Sequence, residues 1–504
     1  MNRFTVIVAT ILLFSVTGLA QEQLGMRTSN YAGVNGLTLN PAGSLVYPFR
    51  WDVNLIEFGQ FFDNNYFFVE NFRLLDALNL PSKGALRPDL TERNLPTPPD
   101  RFVVDFYRSR PDDDKFTFRG DLVTNVMGPS LLLQLGDATV VGLYTRARGV
   151  FNARKLPGAI GYYEFTDKEV DSLFVVQPFK VGGMAWSEIG LNYARTGVTE
   201  YGDISFGGTI KWLQGYEAGY GSMEQSMTFR QLPGNRLIGE PGRTKHAFTI
   251  PSVTENDVQL QRKGSGVAID LGMAFTILDE NDHYKWKIGF SLLDVGAIRF
   301  NKSAENHAIN VTDSTALYFK EFEQFESADQ LDSVARLFSR QTMKDPYASL
   351  QGRAFTMWLP TAFSVQAEMA VLPSFFVNAT WIQGLPLAKN TIRRNNLLGI
   401  TPRFERRWFE AALPITMLDW KHLRSGLAVR LGFLWLGTED LGSVIRRSNF
   451  DSTDFYFALK VNPFQLNLGN KSDKNKQGYQ GYQGGNNRSN VRAKSKRDIK
   501  CPKF

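Results

Sequence analysis

Residues Gly264 to Phe300 read GSGVAIDLGMAFTILDENDHYKWKIGFSLLDVGAIRF. From Gly266 onward Gly266, Ala268, Asp270, Gly272, Ala274 and Thr276 fall on one face, and Val267, Ile269, Leu271, Met273 and Phe275 on the other. Unbroken period-2 alternation is the mark of a β-strand, whose side chains point alternately to opposite faces. The Asp279-Glu280-Asn281-Asp282 turn comes next. Lys285, Lys287, Gly289 and Ser291 then alternate with Trp286, Ile288, Phe290 and Leu292. The stretch predicts an antiparallel hairpin with one apolar face and one face of small and polar residues.

A soluble sandwich covers such an apolar face with a second sheet. A membrane barrel turns it to lipid and keeps a polar lumen. Three features favour the barrel. The apolar face is uniformly large, the opposite face is rich in Gly, Ala, Ser and Thr, and the pattern recurs along most of the chain. No stretch after the N-terminus approaches the roughly 20 apolar residues of a membrane-crossing helix, but a barrel strand needs only about 10 alternating ones. The 39 Phe, 17 Tyr and 9 Trp would supply the aromatic girdles of such a barrel.

The net charge of +7 belongs to the C-terminus. From Lys471 onward there are ten Lys or Arg against two Asp, and the leader holds Arg3, so the body between Gln21 and Asn470 is two charges negative. A general nucleic-acid surface is not indicated. Cys501 is the single cysteine, which excludes an internal disulfide and any Cys-based metal cluster.

Four segments follow in order. Residues 1–20 predict a signal peptide, with Arg3, the apolar run Phe4 to Val16 and the small-x-small site Gly18-Leu19-Ala20. Residues 21–50 form an N-terminal segment directed inward, 51–464 the barrel, and 465–504 a basic low-complexity tail expected to be disordered. Within the second segment, Leu39-Asn40-Pro41-Ala42 resembles the NPA element of FadL-like outer-membrane proteins, where it packs inside the barrel mouth. Gly128–Gly136 (GPSLLLQLG), Trp186–Arg195 (WSEIGLNYAR) and Ser291–Phe300 resemble an uncharacterised family of large Gram-negative outer-membrane barrels over roughly Tyr31 to Phe464. The resemblance implies a fold and a location in the outer membrane, reached through the barrel assembly machinery.

The fold class expected is all-β, an antiparallel transmembrane barrel of about 14 strands with long inserted loops. Strands are predicted at Trp51–Phe58, Phe102–Phe106, Phe116–Arg119, Ser130–Leu135, Ala138–Arg148, Ala185–Arg195, Ile204–Trp212 and the organising hairpin. Further strands are predicted at Thr361–Ala370, Phe375–Ile382, Leu398–Phe404, Trp408–Leu413, Leu427–Trp435 and Phe455–Val461. Gly215–Arg262 reads as a long connection. Asn301–Arg353 reads as an insertion containing a helix that starts at Ser327 through a capping box. Asp112, Asp113 and Asp114 lack the spacing of a calcium loop and read as a solvated turn.

Alternation puts Arg146, Glu188, Lys211, Asp270, Lys287 and Glu368 on the lumenal face, with Asn40, Pro41 and Ala42 in the inward segment. The four histidines lie far apart, and no HExxH, GxSxG, P-loop or Rossmann motif occurs in context. The reading is therefore non-enzymatic and without a cofactor. One function expected is a FadL-like channel for an apolar or amphiphilic solute. The other is a non-transporting barrel that anchors a secretion, motility or surface complex. Outer-membrane lipid is the expected surroundings, and the basic tail is a candidate contact for a periplasmic partner.

Overall fold

The computed structural model describes residues 22–463 apart from short internal stretches, the longest being 80–85, 88–101 and 109–115. The signal segment, the Asp112–Asp114 and Asp279–Asp282 turns, Ser327 and the basic tail lie outside the described residues.

Fourteen staves, each antiparallel to the next, close a barrel. They are β1 (Trp51–Asn64), β2 (Thr117–Met127 continued by Ser130–Leu135), β3 (Thr139–Pro157), β4 (Phe179–Val198), β5 (Asp203–Met223), β6 (Gly264–Leu278) and β7 (Tyr284–Phe300). Then follow β8 (Phe355–Trp358 continued by Ala362–Leu372), β9 (Phe375–Gly384), β10 (Leu397–Glu405), β11 (Phe409–Ala412 with Ile415–Leu418), β12 (His422–Ser425 with Leu427–Leu431), β13 (Leu434–Thr438) and β14 (Ser452–Val461). The ring shuts where β14 pairs with β1 from Val53↔Val461 to Asp63↔Ser452. Closure removes the unpaired edge that an open sheet would expose.

The alternation that predicts the strands also sorts their side chains. In β6, Val267 is 66% and Leu271 54% exposed on the outside, whereas Ala268 and Asp270 are each 1% exposed inside. Leu143, Leu191, Ile210 and Trp212 extend the exposed apolar surface around neighbouring staves. An apolar belt outside and a polar lumen inside are what lipid on one side and a filled interior on the other require. Short turns join β2–β3, β4–β5, β8–β9 and β12–β13 at one rim. The connections at the other rim include 158–178, 224–263 and 301–354.

Several boundaries differ from the sequence reading. Stave β2 runs on from Arg119 through Gly120–Met127, because Gly120, Thr124 and Asn125 dilute the apolar signal there without breaking the ladder to β1. The expected strand Leu427–Trp435 is two staves, turned at Gly432 with φ +57°, a left-handed conformation that glycine adopts without steric cost. Ile415–Leu418 and His422–Ser425, which lie between the expected strands, are strand as well. The Gly215–Arg262 connection holds the upper end of β5 and strands at 227–232, 236–239 and 242–249. With 173–176 and 315–318, two of these form a four-stranded sheet outside the barrel. The helix of the β7–β8 insertion spans Leu331–Met343 after a short 3-10 turn at 328–330, and Gln330 at its start makes no side-chain cap. The expected capping box begins at Ser327, which lies outside the described residues.

Candidate functional site

The lumen is occupied by the chain's own N-terminal segment. Glu22 to Tyr47 folds as a short helix (Leu24–Arg27) and two 3-10 turns (Gly33–Thr38 and Gly43–Val46), nearly all of it buried. None of it joins a β-ladder. Side chains of the barrel wall hold it instead.

Asn40, Pro41 and Ala42 sit against Gly207 of β5, Gly272 of β6 and Gly289 of β7. A Cβ on Gly207 would fall 2.5 Å from the Pro41 carbonyl oxygen. One on Gly272 would fall 2.3 Å from Asn40 Oδ1, and one on Gly289 2.8 Å from Asn40 Nδ2. Three glycines on adjacent staves thus form a seat that any larger residue would fill. The Asn40 amide donates to Gln366 Oε1 at 2.9 Å and to the Met273 carbonyl at 3.2 Å, while Asn40 Oδ1 accepts from the Ala42 amide at 2.9 Å. Asn192 donates to the Pro41 carbonyl at 3.2 Å, and Ser291 Oγ to the Leu39 carbonyl at 2.7 Å. The proline has no amide to satisfy at this crowded contact.

Around this seat the six lumenal residues expected from sequence divide into two ionic lattices. In the first, Arg146 of β3 pairs with Glu188 of β4 at 2.5 Å, and Lys211 of β5 lies 2.6 Å from both Asp270 of β6 and Asp294 of β7. Arg148 reaches Asp294 at 2.9 Å, and Trp186 Nε1 donates to Glu188 at 3.1 Å. In the second, Lys287 and Arg403 grip Glu368 at 2.9 and 3.0 Å. Lys287 also donates to Asn30 Oδ1 at 3.2 Å, tying this lattice to the N-terminal segment. Buried charges of this kind persist only when paired and hydrogen-bonded.

Residues absent from the sequence reading complete both lattices. Asp294 is the node of the first. It adopts φ +57° at a bulge in the β6–β7 pairing, with its amide donating to Asp270 Oδ1 at 2.6 Å. The signal for it was the slip in alternation at Leu292-Leu293-Asp294, where two leucines stand side by side. Arg394, in the β9–β10 connection, joins Asp294 to Glu22 (3.5 and 2.6 Å) and so fastens the start of the N-terminal segment. Loop residues carry no periodicity from which that could be read. Glu405 accepts from the Asn30 side chain at 2.9 Å, Glu410 from Ser29 at 2.8 Å, and Glu57 from Arg27 at 2.9 Å.

Two small cavities lie beside the N-terminal segment. One cavity of about 50 Å³ is bordered by Ser29, Asn30, Asn40, Lys287, Gln366 and Asn378, and another of about 30 Å³ by Glu22, Arg27, Arg148, Asp294 and Arg394. Each suits a few waters, whereas holding benzene takes an apolar cavity on the order of 150 Å³. Among the described residues no group of three or more His, Cys, Asp or Glu is placed to hold a metal ion.

Above the long-loop rim, His246 and His307 face each other across paired strands 242–249 and 304–311, their rings stacked at 4.8 Å. Ser349 Oγ lies 2.9 Å from His307 Nδ1, and Glu305 lies 3.2 Å from its Nε2. Burial and the neighbouring His307 push the His246 imidazole down to about 4, and burial lowers His307 as well.

Among solved structures, the toluene transporter TbuX of Ralstonia pickettii is 9% identical, with 89% of this chain and 99% of that one covered and a TM-score of 0.40. The toluene transporter TodX of Pseudomonas putida is 8% identical, with 88% and 98% covered and a TM-score of 0.31. No curated protein matches the sequence. The model of a family of unknown function, DUF5723, matches residues 46–439, and the chain belongs to that family.

Proposed function

We propose that the protein is an outer-membrane channel for an apolar or amphiphilic solute, closed at rest by its own N-terminal segment. The carrying observation is that Glu22–Tyr47 fills the lumen yet belongs to no ladder. The segment can shift without breaking a stave, because its links to the wall are side-chain hydrogen bonds and ion pairs. A structural core of the barrel would be expected to be fixed more permanently. The exposed apolar belt supports the membrane location, and the short-turn rim, where the segment passes into β1, is the periplasmic side by the usual asymmetry of such barrels.

The test uses the Asn40–Gln366 contact. In a Cys501→Ser background, Asn40→Cys with Gln366→Cys should form a disulfide that locks the segment to β8. Proteoliposomes of the oxidised double variant should take up labelled oleate and toluene no faster than protein-free vesicles, and reduction should restore uptake. Equal uptake in the oxidised and reduced forms would sink the gating reading.

The anchor reading retains one observation in its favour, the four-stranded sheet and the Leu331–Met343 helix standing outside the barrel at the long-loop rim. Lack of uptake in every form, together with a partner that co-purifies through this rim or through the basic tail, would favour it.

A further inference from the structure

The outer wall carries a notch of about 360 Å³ across β2 to β5. Its floor is made of small residues, Gly128, Ala147 and Ser187, where the neighbouring surface shows Leu143, Ile189 and Leu191. Ile189 and Trp212 form one side, and Thr145 and Gln214 bring polar groups into it. Stave β2 is interrupted here at Gly128-Pro129, and Thr145 Oγ1 donates to the Pro129 carbonyl at 3.2 Å. Ser187 Oγ lies 2.8 Å from the Tyr216 hydroxyl, so those two groups satisfy each other. Gln214 differs, since its carboxamide makes no hydrogen bond among the described residues.

The height of the notch decides what could meet that carboxamide. From Asp203 at the short-turn rim to Gln214, a rise of about 3.3 Å per residue at a tilt of roughly 40° gives about 28 Å along the barrel axis. The apolar belt of such barrels is about 25 Å tall, so Gln214 stands at its upper edge. Trp212 and Tyr216 flank it on the same face, as interfacial aromatics do. At this level water is scarce, acyl chains lie below, and the hydrogen-bonding groups on offer are lipid ester and amide linkages. An unpaired amide there is costly until such a group meets it.

We propose that the notch seats one diacyl membrane lipid, with an acyl chain along Ile189 and Trp212 and its ester or amide linkage accepting a hydrogen bond from the Gln214 side chain. The missing side-chain volume at Gly128, Ala147 and Ser187 accommodates the chain, and Gln214 fixes its depth. This site lies on the outside of the barrel and does not depend on the lumen conducting anything.

Native mass spectrometry of the full-length mature protein in mild detergent tests it, with synthetic diacyl phosphatidylethanolamine as the probe and its diether analogue, which lacks the carbonyls, as the comparison. Wild type should keep one diester molecule at a collision energy that strips the rest. It should keep the diether about five-fold less, the weight of one neutral hydrogen bond. Gln214→Leu should lower diester retention to the diether level, and Ser187→Phe, which fills the notch, should abolish retention of both. Each variant is first shown to be a folded, heat-modifiable barrel. Equal retention of diester and diether by wild type needs no variant and overturns the proposal. Unchanged diester retention in Gln214→Leu does the same. Displacement of the retained lipid by equimolar oleate would assign the notch to a free solute and also overturn it.

Discussion

Gly207→Ala adds a single methyl group to the lumenal face of β5. The Cβ it introduces falls 2.5 Å from the Pro41 carbonyl oxygen, 2.6 Å from its carbon and 2.7 Å from the Ala42 amide nitrogen. All three are backbone atoms of the N-terminal segment, so no side-chain rotation relieves the clash, and the segment must retreat by nearly 1 Å to restore ordinary contact. That retreat stretches Asn192–Pro41 at 3.2 Å, Ser291–Leu39 at 2.7 Å and Asn40–Gln366 at 2.9 Å. Three neutral hydrogen bonds at about 1 kcal/mol each give roughly 3 kcal/mol, on the order of a hundred-fold rise in the unseated population. Gly208→Ala, one residue on, is the control. Its Cβ points outward and meets nothing closer than 3.7 Å. The assay is the rate at which a membrane-impermeant maleimide labels Ser44→Cys in a Cys501→Ser background, since Ser44 is 4% exposed when the segment is seated. Gly207→Ala should accelerate labelling about a hundred-fold and Gly208→Ala hardly at all. Equal rates in the two heat-modifiable variants would refute the glycine seat as the element that holds the lumen closed.

Other perturbations probe other parts of the argument. Leu271→Arg, on the lipid face near the middle of β6, should destabilise the barrel by about 2–4 kcal/mol in urea unfolding from liposomes; a change below about 0.5 kcal/mol would mean the face is not in lipid. Lys211→Met should cost about 3–5 kcal/mol by leaving Asp270 and Asp294 facing each other without their shared cation. Adding Asp270→Asn should recover much of that loss in the same measurement. For the His246–His307 pair, the folded pKa lies below the unfolded value, so its contribution is intact above about pH 6.5 and is lost as pH falls toward 4. The loss at His246 is at most about 3 kcal/mol. Amide exchange at 242–249 and 304–311 should therefore accelerate between pH 6 and 4, and His246→Phe, which keeps a ring and cannot be protonated, should flatten that dependence.

The barrel was legible because its signal is local. Val267, Ile269 and Leu271 against Ala268, Asp270 and Gly272 set strand, face and register together, since a slip of one residue would send every apolar side chain into the lumen. The signal failed where small residues dilute it, as at Gly120–Met127, and where a tight turn carries no polar mark, as at Leu431 to Leu434. Lumenal placement of Lys211 and Asp270 followed from the same alternation, but their partner Asp294 sits where alternation breaks, and Arg394 sits where there is none to follow.

The N-terminal segment shows why function was harder to reach than fold. Asn40-Pro41-Ala42 reads alone as an ordinary turn. Its setting comes from Gly207, Gly272 and Gly289, which lie between 166 and 249 residues further along the chain. A glycine in a strand is a weak sequence signal with several meanings, among them a bulge, a bend or the close approach of another backbone. Only the register of β5, β6 and β7, with Gly207 opposite Gly272 and Ala274 opposite Gly289, puts such residues side by side and selects the third meaning. The ionic lattices then hold the same segment at two points, Arg394 at Glu22 and Glu405 at Asn30. A chain seated by contacts this far apart in sequence, and paired into no strand, is fastened by interactions that can be exchanged for others. That exchangeability is the physical basis for reading it as a closure rather than as part of the wall.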